Sequence, residues 1–511
     1  MILLLSFGLR FVNLDGNPAG FFRDEADKGY TSYSLMVTGR DQAGNTFPLF
    51  VKALSVTTSA VYQYIDIPFI AGLGLNEFAV RLPACLAGTG AVLAAFLLGR
   101  LWWGERMGLW AAFFVCFSPW SILLSRWANQ SSLLTLFVPL GVYFFVRDRD
   151  GFPKPGNALA AIFFFVLALY TYATARLFIP VFVFLLGFVR VEWRGWSSEQ
   201  KLAYFRKFFL FLTILAILGI PLATHVIFEA ESSLRLNRVS IFGFENPVQL
   251  FWQNYLAHVS PGFLFISGDA NPRHNTAVFG QEHYFLLPLL VPGIIQALVR
   301  FTVTDRILLL WFLLFPVPAA MTNESIPHAL RSIYAVPVLH LLSVRGIVAL
   351  GEWQPWWQER ITQNLQRIAL YGWRALVGVC IFVHLFDFFV RYPVYSAPYW
   401  EYGYKEAIAW WQENRREGEP TRVSHISEYP SIFFLFYLKY PPDKGEDGLS
   451  QEYTIEFPKF SPQQYYYQGE SSTLNLLRPE EMPGIQPEKV IFLPSGEAFW
   501  KWVRWEKPKN L

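Results

Sequence analysis

The sequence predicts an all-α, multi-pass membrane protein that ends in a small α/β domain. Of its 511 residues, 53% are hydrophobic and only 16% are charged, whereas a soluble domain carries about 25% charge. Aromatic residues make up 18% of the chain, with 49 Phe and 19 Trp, and aromatic side chains are enriched where helices meet the bilayer surface. The net charge of +3 is too small to indicate nucleic acid as a partner.

Apolar runs near twenty residues predict eleven membrane-spanning helices, because that length crosses the hydrocarbon core. They are expected near 1–14, 82–100, 107–125, 131–146, 157–173, 177–190, 208–228, 284–299, 307–321, 331–349 and 375–390. A further run, 61–75, contains Asp66 and Pro68. This run either crosses the membrane or lies along its surface.

The distribution of Lys and Arg decides between these alternatives, because short cytoplasmic loops are enriched in both residues. If the run 61–75 stays on the surface, the loops of one side hold 16 Lys and Arg in 72 residues and those of the other side hold 11 in 144. The richer side is expected to be cytoplasmic. The N-terminus is then inside, and residues 15–81 form one long external loop with amphipathic helices on the membrane surface.

The last part of the chain, residues 391–511, is polar enough to form a separate external α/β domain after a transmembrane domain over 1–390. Strands are expected in "TRVSHIS" (421–427) and "KVIFLPS" (489–495). The stretch "YKEAIAWWQENRR" (404–416) places Ala407, Ile408 and Trp411 at helical spacing, which predicts an amphipathic helix.

Unusual polar residues collect on the predicted external side. An acidic pair, Asp24 and Glu25, follows the first helix in "FFRDEADKGY" (21–30), and later external loops carry mainly basic residues. Together with the acidic pair, the candidate site residues on this side are Asp41, Arg126, Arg176, Asp269, Arg273, His274, His328 and Arg331. Acidic residues followed by basic ones could hold an anionic lipid headgroup beside a general base. Each residue alone is also consistent with a cap, a turn or a snorkelling anchor.

Several of these segments resemble a known family. "FFRDEADKGY", "GRDQAGNTFPLF" (39–50) and "LNEFAVRLPACLAG" (75–88) resemble the N-terminal signature of bacterial GT-C glycosyltransferases that use polyprenyl-phosphate-linked sugars. These enzymes are related to the protein O-mannosyltransferases and the lipid A aminoarabinose transferase. "SGDANPRHN" (267–275) and "PHALRSIYAVP" (327–337) resemble their later external loops. The resemblance covers residues 1 to about 345 and implies a GT-C fold in the bacterial cytoplasmic membrane.

The resemblance also implies an activity and residue roles. The expected reaction is inverting transfer of a sugar from a polyprenyl-phosphate donor to a hydroxyl of an acceptor lipid, glycan or protein, on the outer face of the membrane. Asp24 is the expected general base, with Glu25 beside it. The donor phosphate is expected to be bound by Arg273, His274, His328, Arg331 and Arg126, with Asp41, Asp269 and Arg176 as supporting residues.

One departure from the family bears on cofactors and on function. The aminoarabinose transferases carry a metal-linked acidic residue in the first loop, but the comparable stretch here, "LFVKALSVTTSAVYQY" (49–64), has none. A hard divalent cation needs several oxygen ligands. No firmly bound metal or other cofactor is therefore expected, with a divalent cation as the alternative. A non-catalytic GT-C-like scaffold or accessory subunit of a membrane complex is the second functional class.

Overall fold

The computed structural model describes residues 1–54, 56–148, 151–229, 239–352, 362–424, 428–457, 472–481 and 484–505. The chain divides into two compact units. The helical unit comprises residues 1–12 and 84–387, and the mixed unit comprises residues 13–83 and 388–511. The sequence predicts a transmembrane domain over 1–390, including the loop 15–81, and an external domain over 391–511, and this division stays a prediction.

Helices account for most of the described residues. In chain order they are α1 (Ile2–Phe11), α2 (Arg23–Thr38), α3 (Val61–Leu73), α4 (Glu77–Trp103), α5 (Glu105–Phe117), α6 (Pro119–Leu124), α7 (Ser131–Val146), α8 (Pro155–Thr171), α9 (Ala175–Val189), α10 (Ser198–Phe228), α11 (Pro247–Val259), α12 (Leu287–Arg300), α13 (Val303–Leu314), α14 (Val317–Ala320), α15 (Ala335–Glu352), α16 (Gln363–Phe386), α17 (Tyr392–Tyr395), α18 (Tyr404–Asn414), α19 (Ser431–Tyr437) and α20 (Gly445–Tyr453).

The membrane character that the composition predicts is confirmed. Among the described residues, five helical stretches are long and apolar enough to cross a membrane: α4, α10, Val303–Ala320, α15 and Gln363–Tyr395. Five shorter apolar stretches accompany them: α1, α7, α8, α9 and Tyr284–Arg300. The count of eleven spans stays a prediction. The run 61–75 forms α3, whose 13 residues are fewer than a membrane crossing needs.

Within the helical unit, α12 and α15 cross at two glycines. A Cβ atom added to Gly293 would meet the carbonyl oxygen of Leu342, and one added to Gly346 would meet the carbonyl oxygen of Leu289. Because these are backbone atoms, they cannot move aside as a side chain can. The two helices therefore approach as closely as small residues allow. This crossing packs α15, the helix that follows His328 in the chain, against α12.

The described residues of the mixed unit form two sheets. In the first loop, β1 (Phe50–Ala53) and β2 (Val56–Ser59) pair antiparallel. The second sheet has the order β4-β3-β5-β7-β6 and consists of β3 (Thr421–Val423), β4 (Ile455–Glu456), β5 (Thr473–Leu477), β6 (Lys489–Phe492) and β7 (Ala498–Trp505). Strand β3 pairs parallel with β4 and β5, and the other pairings are antiparallel.

The C-terminal elements agree with the sequence analysis. The predicted strands correspond to β3 and β6, although residues 425–427 of the first one lie outside the described residues. The predicted amphipathic helix is α18, which buries Ala407, Ile408 and Trp411. The small sheet region at the C-terminus is therefore confirmed.

Candidate functional site

The acidic pair begins helix α2 in the mixed unit. Asp24 and Glu25 lie in its first turn, where the helix dipole favours negative charge. Glu25 is fully buried, and its two oxygens accept hydrogen bonds from Arg81 Nε and Nη2, both at 2.9 Å. Its Oε2 also accepts the Phe22 backbone N–H at 3.2 Å. The Glu25 carboxylate is therefore fully engaged in holding the structure.

Arg81 extends this ion pair to the segment before α2. Its Nη1 donates to the carbonyl oxygens of Leu14 and Pro18, at 3.0 and 3.1 Å, and its Nη2 donates to that of Gly20 at 2.6 Å. A buried charge needs a partner for each of its donors, and here the backbone supplies them. Arg81 lies within the stretch 75–88 that carries the family resemblance, but its pairing with Glu25 was not predicted from the sequence.

Asp24 differs from its neighbour. It is half-buried, and in the part of the chain that the structure describes its carboxylate receives no hydrogen bond and forms no ion pair. Its backbone carbonyl accepts a hydrogen bond from Lys28 Nζ at 3.1 Å. Successive helical residues point about 100° apart, so the side chains of Asp24 and Glu25 face different surroundings. Asp24 is the member of the pair whose oxygens are available to a ligand.

A third carboxylate, Asp27, lies one turn further along α2. It is 2% exposed, and its Oδ1 accepts a hydrogen bond from Gln42 Nε2 at 3.0 Å. Burial, with a smaller contribution from the charge of Asp24, raises the pKa of Asp27 to about 7. Sequence analysis did not single out Asp27. Its spacing of three residues from Asp24, which puts the two side chains on one helix face, was the available signal.

Asp41, a predicted supporting residue, shapes the first loop. Its Oδ1 accepts the backbone N–H groups of Ala43 and Asn45, at 3.0 and 2.8 Å, and its Oδ2 accepts Asn45 Nδ2 at 3.0 Å. This is the pattern of a side chain that closes a turn. The carboxylate is thus occupied by its own loop.

The helical unit brings three of the predicted residues together. Asp269 Oδ2 lies 2.8 Å from His274 Nδ1 and 4.0 Å from His328 Nδ1. The two imidazole rings lie 4.9 Å apart. The same Oδ2 accepts the Ala329 backbone N–H at 2.8 Å, and Oδ1 accepts that of Asn271 at 2.9 Å. Asp269 therefore joins the two loops that carry the histidines.

His258 and Arg331 complete the surroundings of this cluster. His258, which sequence analysis did not predict, accepts the His328 backbone N–H on its Nε2 at 2.9 Å. Burial lowers the pKa of His258 to about 4. Burial, with smaller contributions from the neighbouring His274 and Arg331 side chains, holds the pKa of His328 well below its ordinary value. His328 is therefore neutral at pH 7, and its buried Nδ1 has no hydrogen-bond partner among the described residues.

At Asp269, the neighbouring histidines outweigh the effect of burial on the pKa. Burial alone would raise its pKa, but the hydrogen bond from His274 and the adjacent imidazoles lower the pKa below its ordinary value. Asp269 is therefore an anion that orients the two rings. Asp269 thus contacts both imidazoles in the structure, and its supporting role at a donor site stays a prediction.

The donor atoms of Asp269, His274 and His328 lie within 4.8 Å of one another. Two imidazoles and one carboxylate are a donor set that zinc accepts, and these residues could hold such an ion. A single carboxylate does not suit the hard cations Mg²⁺ and Ca²⁺, which prefer oxygen ligands. The expectation of no firmly bound metal stays a prediction.

The remaining predicted cations have different environments. Arg331 Nη1 donates to Thr322 Oγ1 at 2.8 Å, and Arg331 Nη2 pairs with Glu324 Oε2 at 2.7 Å. Arg273 is half-buried beside Asn271, with 3.4 Å between Nε and Oδ1. Arg176 is half-buried in the first turn of α9.

Arg126 is fully buried and binds the end of another helix. Its Nη1 and Nη2 donate to the carbonyl oxygens of Leu9 and Val12, both at 2.8 Å. The last carbonyls of a helix lack partners within the helix, and Arg126 satisfies two of them at the end of α1. Arg126 therefore binds the end of α1, and the ring of its neighbour Trp127 lies 6.4 Å from that of His274, centroid to centroid.

Comparison with solved structures defines the class of fold. ArnT from Cupriavidus metallidurans in the apo state aligns with 98% of this chain and 97% of its own, with a TM-score of 0.57 and 13% identity. The form of ArnT bound to undecaprenyl phosphate aligns over the same shares, with a TM-score of 0.56 and 13% identity. The archaeal oligosaccharyltransferase AglB from Archaeoglobus fulgidus, in complex with an inhibitory peptide and a dolichol-phosphate, aligns with 85% of this chain and 62% of its own, with a TM-score of 0.52 and 13% identity. The fold is that of the GT-C glycosyltransferases.

A family model agrees with this class. Residues 61–220 match the model of the dolichyl-phosphate-mannose-protein mannosyltransferases. A search among curated protein sequences finds no significant match. The resemblance to GT-C glycosyltransferases that the sequence predicts is confirmed by the family match and the fold together.

Proposed function

We propose that this chain is an inverting glycosyltransferase that moves a sugar from a polyprenyl-phosphate donor to an acceptor hydroxyl on the outer face of the membrane. The observation that carries the proposal is the different bonding of the two carboxylates in the acidic pair. Glu25 is committed to Arg81, while the Asp24 carboxylate has no partner among the described residues. A general base needs such an available oxygen.

Asp24 accepts the proton of the acceptor hydroxyl in this reaction. As the proton leaves, the hydroxyl oxygen forms a bond to the anomeric carbon, and the bond from that carbon to the phosphate oxygen breaks. The phosphate leaves with the bonding electrons. A single displacement inverts the anomeric centre. General-base assistance of this kind contributes about 10²–10⁴ in rate.

The donor phosphate is assigned to Arg273, His274, His328 and Arg331. Its negative charge grows as the bond to the sugar breaks, so positioned cationic donors lower the barrier. His328 is neutral, and its Nδ1 has no hydrogen-bond partner among the described residues; in the absence of a metal ion, an adjacent phosphate anion would favour its protonation. Arg126 stays a further candidate for the donor phosphate, with two of its nitrogens already donating to α1 carbonyls. The zinc ion that the Asp269 cluster could hold would supply Lewis-acid stabilisation of a phosphate oxygen.

The experiment uses the purified protein in nanodiscs with a panel of undecaprenyl-phosphate sugars, and it measures release of undecaprenyl phosphate. Arg273→Ala and Arg331→Ala should each raise the KM for the donor about 10-fold, as loss of a charge-assisted hydrogen bond predicts. Lysine at either position should restore part of the loss, because the bidentate fork is missing.

Arg300→Ala is the matched control, since Arg300 lies in the same unit at the far end of α12 and pairs with Glu352. Its donor KM should stay at the wild-type value. Unchanged donor KM in both test variants would remove Arg273 and Arg331 from the donor site. No release from any donor in the panel would contradict transfer itself.

The second candidate is a non-catalytic scaffold or accessory subunit. It is favoured by the stretch 49–64, which lacks the acidic residue that the resemblance leads one to expect. The two candidates differ in one result. A scaffold assembles with its partner subunits equally well when Asp24 is replaced by Asn, and it never releases undecaprenyl phosphate.

A further inference from the structure

A groove in the helical unit lies between α5 and α16. It has a volume of about 480 Å³ and is lined by Arg106, Trp110, Phe113, Trp373, Arg374 and Val377, among others. Its walls are almost entirely apolar and aromatic, and its two charged lining residues are both arginines. We call it the basic groove. Small-molecule sites typically enclose about 300–1,000 Å³, so the groove is large enough for part of a lipid.

The aromatic wall of the basic groove is held in place by its neighbours. The rings of Trp110 and Trp373 meet edge to face, with 5.9 Å between centroids. Trp373 Nε1 donates a hydrogen bond to the carbonyl oxygen of Phe285 at 3.0 Å. These contacts fix the wall before any ligand binds, which reduces the entropy lost on binding.

The charges of the two arginines are not neutralised by any ion pair within the described part of the chain. Both are exposed, and among the residues that the structure describes neither guanidinium has a carboxylate partner or a hydrogen bond. Arg374 lies over the ring of Tyr371, with 5.9 Å from Cζ to the centroid. Other arginines of the same unit are paired, as in Arg306 with Glu192 and Arg345 with Asp305.

We propose that the basic groove binds an anionic phospholipid. Arg106 and Arg374 hold the headgroup phosphate, because guanidinium groups bind phosphate through charge-assisted, often bidentate hydrogen bonds. An acyl chain lies along Trp110, Trp373 and Val377. A second copy of this chain is a poorer occupant, because a symmetric contact brings the same patch of each copy together and its like charges would repel.

This lipid site is separate from the proposed donor site. The distribution of Lys and Arg predicts that both arginines face the cytoplasm, whereas the proposed transfer occurs on the outer face. Lipid binding in the basic groove does not require the proposed glycosyltransferase activity.

The test is native mass spectrometry of the full chain, released from mixed micelles that contain equal amounts of phosphatidylglycerol and phosphatidylcholine. The wild-type protein should retain phosphatidylglycerol in preference. In the double variant R106Q/R374Q, the ratio of bound phosphatidylglycerol to bound phosphatidylcholine should fall about 10-fold or more. Each basic residue near a membrane surface contributes about a factor of five in binding. R106K/R374K should keep most of it, because the charge is retained.

The control variant R206Q/K207Q removes two exposed positive charges from α10, outside the groove. It should bind phosphatidylglycerol as the wild type does. A further variant, Val377→Trp, fills the apolar wall and should lower retention of both lipids. An unchanged preference in R106Q/R374Q, an equal loss in the control, or dimers in place of lipid-bound monomers would each overturn the proposal.

Discussion

Two adjacent carboxylates at the start of α2 lie in different surroundings, and helix geometry explains the difference. The side chain of Glu25 turns toward Arg81 in the interior, whereas that of Asp24 does not. The sequence showed the pair but not which member is available, because the answer depends on an arginine 56 residues away. The same limit applies to Asp269: its neighbour His274 could be expected nearby, while Ala329, 60 residues away, could not.

Asp27 should make the stability of the protein depend on pH. Its pKa is about 7 when folded and 3.8 ordinarily, so the folded state binds the extra proton and stability falls as pH rises from about 4 to 7. Asp27→Asn removes this penalty and keeps an oxygen to accept from Gln42. The variant should be more stable than wild type by about 2–4 kcal/mol at pH 8.

The measurement is thermal unfolding of both proteins in the same detergent at pH 4 and pH 8. The two melting temperatures should nearly coincide at pH 4, where Asp27 is protonated. A constant difference at both pH values would show that Asp27 does not titrate in this range.

At the scale of the element, the sequence located helices better than their ends. The predicted span 107–125 is divided at Ser118 into α5 and α6. Ser118 Oγ accepts the Ser121 backbone N–H at 3.2 Å and donates to Glu282 Oε1 at 3.1 Å. Pro119 at the first position of α6 was a visible signal for a helix start. The contact to Glu282, 164 residues away, was not.

The crossing of α12 and α15 provides a prediction with a control in the same helix. Gly346→Ala places a methyl group against the Leu289 backbone and should destabilise the protein by about 1–3 kcal/mol. Gly351→Ala, where nothing lies within 4 Å of the added atom, should be neutral or slightly stabilising. Thermal unfolding of both variants in one detergent measures the difference. Equal melting temperatures would mean that the two helices separate without cost.

At the scale of the whole molecule, the division into two units was the feature least accessible to sequence. Composition predicts a domain boundary near residue 390, and this boundary stays a prediction; the compact units change after Asp387. Nothing in the sequence indicated that residues 13–83 fold with the C-terminal segment, because contacts between such distant parts leave no local pattern. The family resemblance rested on local motifs and was therefore accessible.

The predicted topology can be tested by cysteine labelling. Cysteines placed at Asn45, Ala270 and Ser450 should react with a membrane-impermeant maleimide from outside, and those at Phe152 and Ser198 should not. The three native cysteines are buried, so background labelling should be low. Position 198 is exposed, so its protection would be due to the membrane. Labelling of Ser198→Cys in intact cells would refute the assignment of sides.

Asp24 is proposed as the base of a glycosyl transfer, and single-turnover transfer by Asp24→Asn is the decisive measurement. With the donor and acceptor identified from the panel, Asp24→Asn should slow the chemical step about 10²-fold or more and leave the melting temperature unchanged. Glu25→Gln is the matched variant: it breaks a buried ion pair and should cost about 3–5 kcal/mol of stability. If Asp24→Asn transfers at the wild-type rate, Asp24 is not the base and the account is wrong.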